Sequence, residues 1–138
     1  MATIPTRSQT PEAPDVALTI LIVDDNHDMV DTTAAMLAQL GYSTIPAYSA
    51  RQACDLLDEA RIDLVLTDIR MPDVDGFDLL RVLRHRFHSL PIILMSGFSV
   101  SDDDIVPSGA SILEKPFTVD ELQNLVQHKL AQRTRERR

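Results

Sequence analysis

The chain has 138 residues, an apolar content of 44% and a formal net charge of -8. That length fits one domain, and the apolar fraction can fill one core. The acidic balance excludes a general nucleic-acid binder, which needs a basic face to replace phosphate counterions, and a single cysteine, Cys54, excludes an internal disulfide and suits a reducing compartment.

Residues 1–17 are rich in Thr, Pro and Ser, lack apolar periodicity and read as a disordered tail. They contain no apolar stretch of the secretory type, and no run nears the roughly 20 residues that span a bilayer. The expectation is a cytoplasmic protein with no membrane contact.

From Leu18 onward, strand and helix patterns alternate. Residues 18–23 form an apolar run of buried-strand length, closed by Asp24 and Asp25. A helix is predicted from about His27 to Leu40, with Val30, Ala34, Leu37 and Leu40 on one stripe and Gly41 at its C′ position. Ser43 to Tyr48 gives a weaker second strand. Ser49 can cap a helix whose inner face is Ala53, Leu56, Leu57 and Ala60. Residues 64–67 form a third strand that ends at Asp68. Pro72 and the Asp75-Gly76 turn then make a loop. Leu80, Leu83 and Phe87 stripe a third helix, and residues 91–95 give a fourth strand ending at Ser96.

Ser99 to Ser108 holds Asp102, Asp103, Asp104 and Pro107, and has room for a short helix at most. A short fifth strand, Ser111 to Leu113, leads into Glu114, Lys115 and Pro116. Thr118 and Glu121 form a capping box for a last helix buried through Leu122, Leu125, Val126 and Leu130. Arg133, Arg135, Arg137 and Arg138 read as a solvated basic end. The divisions are a tail over 1–17, a domain over 18–131 and a basic tail over 132–138.

Strands alternating with helices predict an α/β fold with a parallel sheet wrapped on both faces. The pattern is that of a flavodoxin-like, doubly wound (βα)5 arrangement with strand order 2-1-3-4-5. Parallel strands gather their C-terminal ends on one edge, where open α/β sheets place ligands. Asp24, Asp25, Asp68, Ser96 and Lys115 then share a pocket. Taken singly, each has a plainer reading: an acid pair caps helices, Asp68 could form a turn, and Ser96-Gly97 is a common turn. Their joint position at the ends of alternating units favours a site.

Three crowded carboxylates repel one another, and a proton or a cation must relieve them. Oxygen-only ligands favour Mg2+, with Mn2+ as the alternative. A carboxylate can accept a phosphoryl group, and Asp68 is the best candidate because it ends the central strand. Lys115 supplies a compact positive charge and Ser96 a hydroxyl donor for phosphoryl oxygens.

Ile22-Val23-Asp24-Asp25, Leu66-Thr67-Asp68-Ile69-Arg70-Met71-Pro72, Asp75-Gly76, Met95-Ser96-Gly97 and Glu114-Lys115-Pro116-Phe117 resemble the receiver domain of two-component response regulators. The resemblance covers about Leu18 to Leu130. It implies that Asp68 accepts a phosphoryl group from a histidine kinase or a histidine phosphotransfer protein. It implies that Asp25, Asp68 and the main-chain carbonyl of Arg70 bind Mg2+, with Asp24 acting through water. Ser96 and Lys115 would hold the phosphoryl oxygens, Ser96 would shift on activation, and the Lys115–Pro116 bond would be cis. The product is a phosphorylated signalling switch that acts on a downstream protein target, not a conventional enzyme and not a direct nucleic-acid binder.

Two departures stand out. The family commonly has Tyr or Phe three residues before the lysine, and here that place is Ile112. The segment between Ser96 and Lys115 is short and acidic. A more flexible output face is therefore expected. Arg70 and Phe98, two residues beyond Asp68 and Ser96, are expected to tune dephosphorylation by obstructing the hydrolytic water.

Other residues receive plain readings. Cys54 is a small helix residue, His85 and His88 are surface residues on a helix, and His27 starts a helix. Rival functions are a receiver-like binding module not regulated by phosphorylation and an aspartyl-nucleophile phosphohydrolase. The haloacid-dehalogenase class of the latter needs an acid two residues after the nucleophile, where this chain has Arg70. A flavodoxin-like cofactor binder is disfavoured because no Gly-rich phosphate loop follows the first strand.

Overall fold

In the computed structural model of the chain, residues 18–71, 73–74, 76–97 and 109–136 are described. The strands are β1 (Thr19–Val23), β2 (Ser43–Ala47), β3 (Leu64–Asp68), β4 (Ile92–Ser96) and β5 (Ser111–Glu114). The helices are α1 (His27–Gln39), α2 (Ala50–Glu59), α3 (Gly76–Arg86) and α4 (Val119–Glu136). All neighbouring strands are parallel, in the expected order β2-β1-β3-β4-β5. The segment 99–108, where the expected fourth of five helices falls, lies outside the described residues, as do Pro72, Asp75 and Phe98.

Strand alternation builds two cores, one on each face of the sheet. Ile20 and Ile22, Leu64 and Leu66, and Ile93 and Met95 join Val30 and Leu37 of α1 and Leu122 and Val126 of α4. Leu21 and Val23, Val65, and Ile92 and Leu94 join Ala53 and Leu57 of α2 and Leu79, Leu80 and Leu83 of α3. Ile112 packs against this second core from a partly buried position. With both faces covered, the central strands read as nearly unbroken apolar runs.

Caps set the helix boundaries. The side chain of Asn26 accepts the Met29 N–H at 3.2 Å and starts α1, and Gly41 follows its end with φ +94°. Ser49 Oγ accepts the Gln52 N–H at 3.1 Å at the start of α2. The capping box at α4 is reciprocal: Glu121 Oε1 accepts the Thr118 N–H at 2.9 Å, and Thr118 Oγ1 accepts the Glu121 N–H at 3.1 Å.

Several boundaries differ from the sequence reading. Gly76 opens α3 rather than closing a turn, which brings Leu79 into the core beside Leu80. Because α3 ends at Arg86, Phe87 and His88 lie beyond the helix; Phe87 still packs on the core, and its N–H donates to the Leu83 carbonyl at 2.7 Å. The last helix runs on to Glu136, past the end of the apolar stripe. Within it Lys129 is buried, and its ammonium donates to the Gly109 carbonyl.

Candidate functional site

The register delivers the site residues to one edge. Val23 pairs with Thr67, so Asp24 and Asp68 emerge side by side, one residue further along. Asp68 pairs with Met95, which puts Ser96 one step beyond it. Ser96 pairs with Glu114, which puts Lys115 one step beyond again. The main chains of the last two are joined directly, since the Lys115 N–H donates to the Ser96 carbonyl at 2.7 Å.

Oxygen atoms of Asp24, Asp25 and Asp68 all lie within 4.8 Å of one another. Their burial is graded: Asp24 is buried, Asp68 half-buried and Asp25 exposed. Asp24 is fixed through Oδ1, which accepts the Asn26 N–H at 3.0 Å. Because Asn26 caps α1, the acid pair is free to serve the pocket. Lys115 Nζ stands 3.5 Å from Asp24 Oδ2 and 3.4 Å from Asp68 Oδ1. Asp68 Oδ1 also accepts the Ile69 N–H at 2.9 Å. Burial pushes the Asp68 carboxyl above the usual carboxylate range and Asp24 adds to this, while the Lys115 ammonium pulls the other way.

The remaining sequence-selected residues also have definite places. Ser96 is fully buried at the end of β4. Arg70 is exposed just after β3, and Ile112 is partly buried in β5. Pro116 is exposed, and the Lys115–Pro116 peptide is cis. Phe98 lies outside the described residues.

Three features of the sheet's two edges have no counterpart in the sequence reading. The His27 ring, at the start of α1, stacks on Tyr48 with centroids 3.9 Å apart and planes 7° apart. Asp73, in the loop after β3, accepts the Ala50 and Arg51 N–H groups at the start of α2. At the opposite edge, buried Asp63 accepts the Thr19 N–H at 2.8 Å and anchors the start of β1. Each joins segments far apart in the chain, so none carried a local signal.

The donor set fits a hard divalent cation. Asp24 Oδ2 is buried without a hydrogen-bond partner and faces the pocket lysine, and the clustered groups offer only carboxylate oxygens. Among the described residues no helix is long and apolar enough to cross a membrane.

Comparison with known proteins agrees with this fold. VanR of Enterococcus faecium, a regulatory protein, is 33% identical over 108 residues, which is 75% of this chain and 46% of that protein. CpxR of Escherichia coli, a transcriptional regulatory protein, is 34% identical over 113 residues, 75% of this chain and 45% of that one. The chain thus spans about half the length of these relatives. A CheY-like receiver domain protein of Methanospirillum hungatei superposes with a TM-score of 0.80 at 27% identity, covering 88% of this chain and 99% of that one. TrrA of Thermotoga maritima, solved with Mg2+-BeF, gives a TM-score of 0.75 at 27% identity over 81% of this chain and 98% of that one. Residues 20–127 match the response regulator receiver domain family, and the chain belongs to it.

Proposed function

We propose that this receiver domain takes a phosphoryl group onto Asp68 from a phosphohistidine of a histidine kinase or phosphotransfer protein, in a Mg2+-dependent reaction, and thereby switches its contacts with a downstream protein. The observation that carries the proposal is the cluster of three carboxylates within 4.8 Å, with the Lys115 ammonium 3.4 Å from Asp68. An Asp68 oxygen attacks phosphorus; the P–O bond forms as the P–N bond breaks, and the donor imidazole leaves with the electron pair and takes up a proton from water. Asp25, Asp68 and the Arg70 main-chain oxygen would hold Mg2+, with Asp24 reaching it through water. When bound, Mg2+ neutralises charge on the transferring group. Lys115 and Ser96 neutralise and orient the phosphoryl oxygens. The phosphoryl group carries about two negative charges where the Asp68 carboxylate carried one, and this change shifts Ser96 and biases the face beside it. Such a switch works in the cytoplasm, where kinases of this class present their phosphohistidine.

The test is phosphorylation by acetyl phosphate with MgCl2, read by intact mass and by peptide mapping. One phosphoryl group on the wild type, and none on Asp68→Asn or in EDTA, is the expected result. A gain of mass that survives Asp68→Asn overturns the assignment. Steady release of phosphate from small phosphomonoesters would instead favour a phosphohydrolase.

A further inference from the structure

We infer that Asp73 is a positioning residue: its carboxylate clamps the loop carrying Arg70 to the start of α2 and pre-sets the main-chain oxygen offered to the metal. The inference rests on the metal-dependent reading proposed above.

The clamp is two-handed. Asp73 Oδ1 accepts the Ala50 N–H at 3.2 Å, and Asp73 Oδ2 accepts the Arg51 N–H at 3.1 Å. A carboxylate held through both oxygens has a fixed orientation, and the positive end of the helix dipole favours it there. The neighbouring donors are already served. Ser49 Oγ takes the Gln52 N–H, and Gln52 Oε1 takes the Tyr48 N–H at 2.7 Å. Asp73 therefore fills the two places that the local sequence of α2 leaves open, from 22 and 23 residues away.

On the loop side, alternate residues are tied down. Ile69 is buried, and its N–H is shared between Asp68 Oδ1 at 2.9 Å and the Met95 carbonyl at 3.2 Å. Met71 packs against the same core as Ile69. Asp73 is the next anchor, and exposed Arg70 lies between the first two. A main-chain ligand has no side chain of its own to aim it. Its position depends on the anchors either side, and such outer contacts tune metal affinity.

The plainer account is that Asp73 only caps a helix. Ser49 separates the two accounts, because it caps the same helix from the β2–α2 turn and not from the Asp68 loop. Calorimetric titration with MgCl2, alongside thermal melts, compares the wild type with Asp73→Ala, Asp73→Asn, Ser49→Ala and Asp68→Asn. Asp73→Ala is expected to weaken Mg2+ binding about tenfold. Ser49→Ala is expected to lower the Tm comparably while leaving Mg2+ affinity unchanged. Asp73→Asn keeps one acceptor oxygen and falls between wild type and Asp73→Ala; it carries the comparison if the alanine variant does not fold. Wild-type affinity in the Asp73 variants, or equal weakening by Ser49→Ala, overturns the inference while leaving the metal site intact. Undiminished binding by Asp68→Asn overturns the metal reading itself, and the inference with it.

Discussion

Lys115 and Asp68 form a 3.4 Å ion pair although the strands they follow and end, β5 and β3, are separated by β4. The same ammonium lies 3.5 Å from Asp24, so one cation restrains two acids. Side-chain exposures of 21% for Lys115, 14% for Asp68 and 2% for Asp24 place the group well below the fully solvated limit, where such pairs contribute almost nothing.

Lys115→Met therefore leaves two facing carboxylates without a counter-charge. The metal-free variant is expected to lose about 2 kcal/mol of stability, between the surface and the buried extremes. Saturating Mg2+ should return most of it. Urea denaturation with and without MgCl2 measures both, and an unchanged midpoint in EDTA would refute the expectation.

Asp68 acts in the opposite sense. Burial raises its native carboxyl above the ordinary range, so the folded protein holds the proton more tightly than the unfolded chain. Stability then falls as pH rises from the ordinary value through the raised native one, and at neutral pH the charge is destabilising. In EDTA, Asp68→Asn should raise the Tm by about 3 °C at pH 7. With Mg2+ present the order should reverse, because only the carboxylate gains the ligand's binding energy. Melts in the two buffers decide it.

Asp73 supplies the contrasting pH dependence. It meets some desolvation cost, but the backbone N–H bonds from Arg51 and Ala50 hold its carboxyl below the usual value. Its contribution is complete above the ordinary carboxylate value and is lost as pH falls through the depressed native one. The Tm of wild type minus that of Asp73→Asn should shrink steadily toward low pH. A constant difference down to the acid transition would count against the clamp.

Thr118→Ala removes one half of the α4 capping box and should cost about 1 kcal/mol. The site lies at the other end of β5's following turn, and phosphorylation by acetyl phosphate should proceed at the wild-type rate. Urea denaturation and a phosphorylation time course check the two parts separately.

The strand-end chemistry was legible because each apolar run stops at a residue of different character: Asp24, Asp68, Ser96, Glu114. In a parallel sheet, that local punctuation becomes a shared edge. The α1 cap was less legible. Asp24, Asp25 and Asn26 can all start a helix, and only the fold shows that Asn26 does so while Asp24 turns inward. Asp73 was missed because its partners belong to another unit of the fold. Lys129 had no local signal for burial, since its acceptor, the Gly109 carbonyl, lies 20 residues away in the chain. Leu79 was missed because the start of α3 set the phase of its stripe.

The stacked pair at the start of α1 makes this chain its own optical probe. It has no tryptophan, and its emission comes from two tyrosines. Tyr42 precedes β2 and Tyr48 follows it, so roughly 20 Å of strand separates them. Tyr48 alone sits at the acidic edge, its ring against the imidazole two positions from Asp25. In a Tyr42→Phe background the fluorescence reports from one flank of the pocket, and ligand arrival there can be timed without a label.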